Sequence, residues 1–454
     1  MKRSTARVAA FALALVLVPP MASAETPVFA KDATTFAIDN GMQVVVIPDH
    51  RAPIVTHMVW YKAGAADELP GESGVAHFLE HLMFKGTKDH PEGEFSKVIN
   101  SVGGNENAFT SDDVTAYHQT VAKQHLAQMM AFEADRMANL VLDEAAVATE
   151  LDVILEERRQ RIDNEPGAQL SEAVRAALYQ NSRYGIPTIG WAHEMAALDL
   201  EAALSWYDRY YTPNNAILIV AGDVTEDEIR QLVADTYAKV PRRFDPPPRF
   251  RAEEPPPVAA RTVTLADERV TQPSMQRVYL APSYTTGEPG EAAALDILSE
   301  ILGGGSTSRL YRNLVVDQPV AAGAGAFYRS NSLGDTMFGF YGTPRGDGTL
   351  DDVEAAIDGE IAKLLEDGVT AEEVASAKRR LIAATVYAAD SSASLARAIG
   401  TALTSGGTLE AAQTWPSTIE AVTVEQVNDA ARKYLEIRRS VTGYLVGTSE
   451  ESPS

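Results

Sequence analysis

The 454-residue chain has no cysteine, which closes off both disulfides and thiolate metal sites. Positive charge is also in short supply: 39 Lys and Arg face 63 Asp and Glu, for a formal net charge of -24. A polyanion would be repelled wherever it approached such a surface, which argues against nucleic acid as a partner. The surplus of acid leans toward basic peptides as substrates, although acidic residues are more often plain solvated surface. Beyond the first residues no stretch reaches ~18 apolar residues, so no membrane span is expected in the mature chain. Histidine is unevenly placed, all eight lying at or before His193. The second half, with neither His nor Cys, cannot hold a typical zinc site.

What is present begins with the shape of an export signal. Lys2, Arg3 and Arg7 precede the apolar run 8–18, and Ala22-Ser23-Ala24 precedes Glu25. Cleavage is predicted after Ala24, with a retained, uncleaved anchor as the alternative, and export without cysteine suits a bacterial periplasm. A hydrophobic fraction of 45% with 22% charged residues is that of a folding chain, and the length predicts two to three domains.

The stretch with most chemistry in it is His77-Phe78-Leu79-Glu80-His81. Ser73 reads as a helix cap, and the apolar residues after it predict a helix over 73–84. At ~100° per residue, His77, Glu80 and His81 then share an arc of roughly 100°. Two imidazoles four apart supply two ligands to one zinc ion, and the carboxylate beside them is placed to take a proton from water activated by the metal. A His pair on a helix is more often a partly exposed surface pair. Here Val75, Ala76, Phe78, Leu79, Leu82, Met83 and Phe84 make the helix apolar nearly all round, so it should be buried. Buried polar side chains need partners, and a metal satisfies all of them together. The order H-x-x-E-H is that of the inverted zinc peptidases.

Along the chain, 35–47 reads as strand, Asn-Gly turn, strand, and 54–61 as a further strand. A helix is expected over 95–102, a strand from 103–110 running on through 115–121, helices over 124–140, 143–161 and 201–210, and a closing strand at 215–220. Pro246-Pro247-Pro248 and Pro255-Pro256-Pro257 make 241–257 a stiff connector and a domain boundary. The second half repeats the order: strand at 275–284, helix at 291–302, strand pair in 321–342, helices at 350–365, 371–389 and 424–434, closing strand at 440–446. In this register His77 falls on Asp296, Glu80 on Ser299 and His81 on Glu300, so the architecture is duplicated and the chemistry is not. The divisions are signal 1–24, metal-bearing domain 25–240, linker 241–257 and homologous domain 258–450.

Catalytic zinc takes three protein ligands and an open position. Glu150 and Glu157 lie seven apart, on one face of the helix predicted over 143–161, while Glu156 points about 100° away. Glu157 is therefore a ligand candidate with Glu150 in support, against the plainer reading of a solvated charged face. Taken together, H-x-x-E-H, the pair E-x-x-x-x-x-x-E, the intervening Gly103-Gly104-Asn105-Glu106-Asn107-Ala108-Phe109-Thr110 and the two similar halves resemble the insulinase/pitrilysin family of zinc peptidases, which includes the mitochondrial processing peptidase.

The resemblance implies an α+β fold of two homologous α/β-sandwich domains, each with a mixed or antiparallel sheet, arranged as a clamshell. It implies one zinc per chain on His77, His81 and Glu157, Glu80 as general base, and Glu150 as the carboxylate that orients a ligand. It also implies peptide substrate added as a strand along Asn107-Ala108-Phe109. One departure stands out. After the glycine-rich loop and Ser308-Arg309-Leu310, where the family carries an Arg and a Tyr that contact substrate, this chain has Val315 and Ala322. A homologous partner subunit supplying that pair is therefore expected, as a heterodimer; a homodimer with a relaxed site is the rival, with Arg309 or Arg312 standing in. The expected activity is zinc-dependent hydrolysis of short or unfolded peptides, and the alternative is a non-catalytic scaffold or peptide-binding subunit.

Overall fold

The structure is a computed structural model and describes residues 28–448; the predicted export signal lies outside the described residues. Among the described residues no helix is long and apolar enough to cross a membrane. The first half builds a sheet from β1 (Thr34–Ala37), β2 (Gln43–Pro48), β3 (Ile54–Tyr61), β4 (Asn105–Thr110), β5 (Thr115–Ala122) and β6 (Ala216–Gly222), in the order β1-β2-β6-β3-β5-β4. The second half builds another from β7 (Arg261–Ala266), β8 (Ser274–Ala281), β9 (Ala321–Tyr328), β10 (Thr336–Pro344) and β11 (Ser440–Val446), in the order β7-β11-β8-β10-β9. Leaving β1 aside, the two orders match strand for strand. In each, the first strand pairs in parallel with the last and the other pairings are antiparallel. A parallel partner requires a long crossover, so the closing strand returns only after the helices have been laid down. The fold is α+β with two mixed sheets.

Six helices matter for the site and its frame: α1 (Val75–Leu82), α2 (Glu144–Arg158), α3 (Pro166–Leu178), α4 (Glu291–Gly303), α5 (Ala371–Ala388) and α6 (Ser392–Thr404). All of β6 is buried, and β3 from Val55 onward, so both faces of the first sheet need cover. One face carries the first half's own helices, α1 among them. The other is covered by α6 from the second half, whose Leu395, Ala396, Ile399 and Leu403 pack on Met58, Trp60, Ile217 and Ile219. The arrangement is reciprocal. From the first half, α3 sends Leu170, Val174 and Leu178 onto Val278, Leu280, Val441 and Leu445 of the second sheet. Each half thus lends the other one helix.

The connector carries no regular secondary structure through residues 241–260 and is held by buried charge. Asp67 receives Arg249 at 2.8 Å and Arg251 at 2.8 Å, and Asp113 receives Arg251 at 2.7 Å. Asp113 also accepts from Tyr184 Oη at 2.7 Å and from the Leu333 amide at 3.0 Å, so a turn of the first half, the connector and a loop of the second meet at one carboxylate.

The structure departs from the sequence reading in several places. Residues 103–121 form a hairpin, not one continuous strand, because Ser111, Asp112 and Asp113 turn the chain between β4 and β5. Helices α3 and α6 were not expected at all. Strand β7 continues from the connector where no element was predicted.

The clasp depends on small residues at its closest approaches. A Cβ at Gly400 would overlap the buried Trp60 indole, and one at Gly443 would overlap the Val174 side chain. Gly400→Val should therefore lower stability by about 1–3 kcal/mol, read as a drop in the denaturant midpoint; an unchanged midpoint would contradict the packing of α6 on β3.

Candidate metal centre

Helix α1 is buried from Val75 through Glu80 and again at Leu82. Its start differs from the expectation. Ser73 does not cap it: the Ser73 hydroxyl accepts from the Trp191 amide at 2.9 Å, and Gly74 takes the N-cap position at φ 93°, a conformation that favours glycine. The cap comes instead from Glu68, whose carboxylate accepts from the Gly74 amide at 3.1 Å and the Ala76 amide at 3.0 Å. Burial pushes the Glu68 carboxyl up to about 8, while these amides pull the other way.

The buried stripe of α2 runs Val147, Glu150, Ile154, Arg158, with Glu157 half-buried beside it, so the side of the helix that faces the protein is charged along much of its length. The end of the helix is pinned. Arg158 donates to the Gly190 carbonyl at 2.7 Å and to both oxygens of Glu172 at 2.9 and 3.0 Å, and a π-helical turn, Arg159–Asp163, follows directly. Wide turns of this kind recur at functional sites, where they re-aim a side chain.

α1 and α2 together bring His77, His81 and Glu157 into one cluster. Glu157 Oε2 lies 3.5 Å from His77 Nε2 and 3.4 Å from His81 Nε2, and the three donor atoms all fall within 4.8 Å of one another. Two zinc ligands at ~2.0–2.1 Å in tetrahedral coordination stand about 3.3 Å apart, so two of the three separations already have the size of a coordination sphere. Glu157 Oε2 is buried and has no hydrogen-bond donor, and His77 Nδ1 is likewise buried without a partner. Glu157 Oε1 is held separately, by Arg161 at 2.7 Å. Glu150 Oε1 bonds His81 Nδ1 at 2.8 Å while Lys85 holds Glu150 Oε2 at 2.7 Å, which leaves His81 Nε2 aimed at Glu157. The donor set and its unpartnered atoms fit a zinc ion.

The electrostatics follow from these contacts. Burial, with His81 beside it, drives His77 down to about 4. Burial also disfavours charge on His81, but the hydrogen bond to Glu150 and the nearby Glu157 carboxylate outweigh it and hold that ring up at about 9. The bond from His81 holds Glu150 down at about 2, and the same ring depresses Glu157. Burial raises Glu80 above the ordinary carboxylate range, against the Thr110 hydroxyl that donates to its Oε2 at 2.7 Å.

Asn107, Ala108 and Phe109 lie on β4, the edge of the first sheet, where the far side of the strand has no partner. Phe109 meets Trp60 edge-on at 5.2 Å. In the second half Val315 is half-buried against its own core and Ala322 is exposed on β9. Arg309 is bound to the Glu373 carboxylate and the Gly368 carbonyl, in a cavity it shares with Arg312, and neither lines this chain's own cleft at His77. At the positions matching His77 and His81, α4 carries Asp296, which accepts from Tyr284 Oη at 2.7 Å, and Glu300, which pairs with Arg380 of α5. Sequence reasoning missed Glu68, Lys85, Thr110 and Arg158, which hold the cluster from behind. Thr110 closes the motif at 103–110, though no role was assigned to it there, and the buried spacing of Glu150, Ile154 and Arg158 on α2 carried the remaining signal.

Residues 43–191 match the family described as Insulinase (Peptidase family M16), and residues 197–381 match the one described as Peptidase M16 inactive domain. Zinc protease PqqE of Helicobacter pylori is 32% identical over 291 residues, 63% of this chain and 64% of the relative. The uncharacterized zinc protease ML0855 of Mycobacterium leprae is 30% identical over 410 residues, 88% of this chain and 89% of the relative. A crystal structure of a protease from Helicobacter pylori superposes with a TM-score of 0.86 at 27% identity, covering 91% of this chain and 99% of that one.

Because Glu68 is raised in the folded state, it binds a proton there that the unfolded chain releases above about pH 4.5. Its contribution to stability is complete below that pH and is lost as pH rises through about 8. Glu68→Gln should accordingly gain on the wild type between pH 5 and pH 8 in parallel denaturant titrations. A constant difference across that range would show that the amides at the start of α1 keep Glu68 ionised throughout.

Proposed function

Because the chain belongs to the insulinase family (peptidase family M16), we propose that it is a zinc-dependent endopeptidase of short or unfolded peptides, with His77, His81 and Glu157 as the ligands of a single zinc ion. The observation that carries this is Glu157 Oε2, a buried carboxylate oxygen with no hydrogen-bond donor, set between two imidazole nitrogens at 3.4 and 3.5 Å. Zinc bound there supplies Lewis acidity, polarising a scissile carbonyl and lowering the pKa of water to about 7. Glu150 fixes the tautomer and direction of His81. Glu80, raised by burial and held by Thr110, takes a proton from the attacking water and returns it to the leaving amine. The open edge of β4 at Asn107, Ala108 and Phe109 receives the peptide as an added strand, through main-chain bonds that are indifferent to sequence.

Val315 and Ala322 offer no side-chain hydrogen bond to a substrate, so a homologous subunit bearing Arg and Tyr completes the site in a heterodimer. The domains divide at the proline-rich connector 241–257, the metal-bearing unit spanning 25–240 and its counterpart 258–450. The leader at 1–24 directs the protein to a periplasm. A scaffold or peptide-binding subunit has no use for a complete donor set with Glu80 beside it, which is what sets the peptidase reading above that alternative.

Glu80→Gln should keep one zinc per chain and lose activity by about 10²–10⁴-fold in a peptide-cleavage assay; substantial turnover would remove Glu80 as the base. Glu150→Ala should weaken zinc binding by about 10–100-fold in competition with a chelating dye, and unchanged affinity would separate Glu150 from the metal. The purified chain should cleave a mixed peptide library slowly and gain rate when its homologous subunit is added. A full rate from the chain alone would dispose of the heterodimer.

A further inference from the structure

A cavity of about 530 Å3 opens beside His77 and Thr110, and its far wall belongs to the second half, where Val278, Phe327 and Met337 are apolar and Arg329 is exposed. A second cavity, about 250 Å3, reaches Phe109 at the same end of β4 and shares Arg175, Arg329 and Met337 with the first. Arg329 therefore stands where the two meet, next to the edge along which a peptide would lie.

The charges around it are already committed. Arg175 is bound to Asp112, Glu172 is held by Arg158 at 2.9 Å, and Arg161 is bound to Glu157 at 2.7 Å. Among the described residues the Arg329 guanidinium has no ion-pair partner, although the chain as a whole carries a net charge of -24. A guanidinium against apolar walls recognises a planar anion through paired N–H donors, and a carboxylate has that shape.

We propose that this cleft is a substrate subsite selective for a carboxylate, with Arg329 as the residue that recognises it; this rests on the peptidase reading of the metal centre. The carboxylate is supplied by an acidic side chain near the scissile bond or by the C-terminus of a short peptide. The cleft thus selects against the basic substrates that the overall composition suggests.

The test uses zinc-loaded full-length protein in the Glu80→Gln background and fluorescent peptides that differ only in Glu, Gln or Lys near the centre, each with a free or an amidated C-terminus. Peptides bearing the recognised carboxylate should bind at least about tenfold more tightly than their neutral counterparts. Arg329→Gln should abolish the preference, and Arg329→Glu should turn it toward Lys. A preference that survives amidation assigns the side chain, and one that amidation removes assigns the terminus; either supports the subsite. Equal binding of all peptides, no binding of any, or a preference that persists in Arg329→Gln overturns it. If the wild-type enzyme cleaves without charge preference, the subsite fails and the peptidase stands. If the binding preference is present and nothing is cleaved even with the homologous subunit added, the peptidase fails and the subsite stands.

Discussion

A carboxylate oxygen held against two imidazoles, with no hydrogen-bond donor of its own, is the constraint around which the first half is built. Leaving Glu157 Oε2 in that position requires that neither α1 nor α2 shift, and both are fixed by further buried polar and charged groups. Glu68 satisfies the amides at the start of α1, Arg158 ties the end of α2 to Gly190 and Glu172, and Lys85 holds Glu150 behind His81. Removing one member of a buried charged set costs about 3–5 kcal/mol, so such a frame deforms little. His77, His81 and Glu157 are thereby held in a fixed relation to one another.

The second half shows what the same frame does without that chemistry. The strand order is kept, and α4 and α5 still face each other, but Glu300 of α4 meets Arg380 of α5 directly. Where the first half sets a carboxylate on its later helix against imidazoles on its earlier one, the second sets a guanidinium against a carboxylate. A direct ion pair needs nothing between its partners. The two halves are bound by the exchange of α3 and α6, so the sheet beside the His77, His81 and Glu157 cluster is covered in part by the half that lacks such a cluster. That exchange also places Arg329, Phe327 and Val278 across the cleft from His77.

The sequence carried the cluster well because its pattern is local. His77, Glu80 and His81 share one helix face, Glu150 and Glu157 share another, and the apolar residues around the first required that it be buried. Most strands of both sheets were legible for the same reason, as short apolar runs bounded by turns; β7 and the turn between β4 and β5 were not. Helices α3 and α6 were not. Their contact faces are diluted by Ala, Ser and Gly, small residues that let Gly400 reach Trp60 and so weaken the periodic signal that reveals a helix. Ser73 has the side chain of a cap, but a carboxylate five residues upstream took its place, and no local rule weighs such a competitor. Arg329 stands out only once two halves far apart in sequence are brought face to face.

The central claim is that one zinc ion is shared by His77, His81 and Glu157. Anomalous diffraction at the zinc absorption edge, from crystals of the full-length protein grown with zinc, tests it most directly. The account predicts one strong peak per chain, within about 2.0–2.2 Å of His77 Nε2, of His81 Nε2 and of a Glu157 oxygen. No peak between α1 and α2, or one held elsewhere by exposed carboxylates, would contradict it.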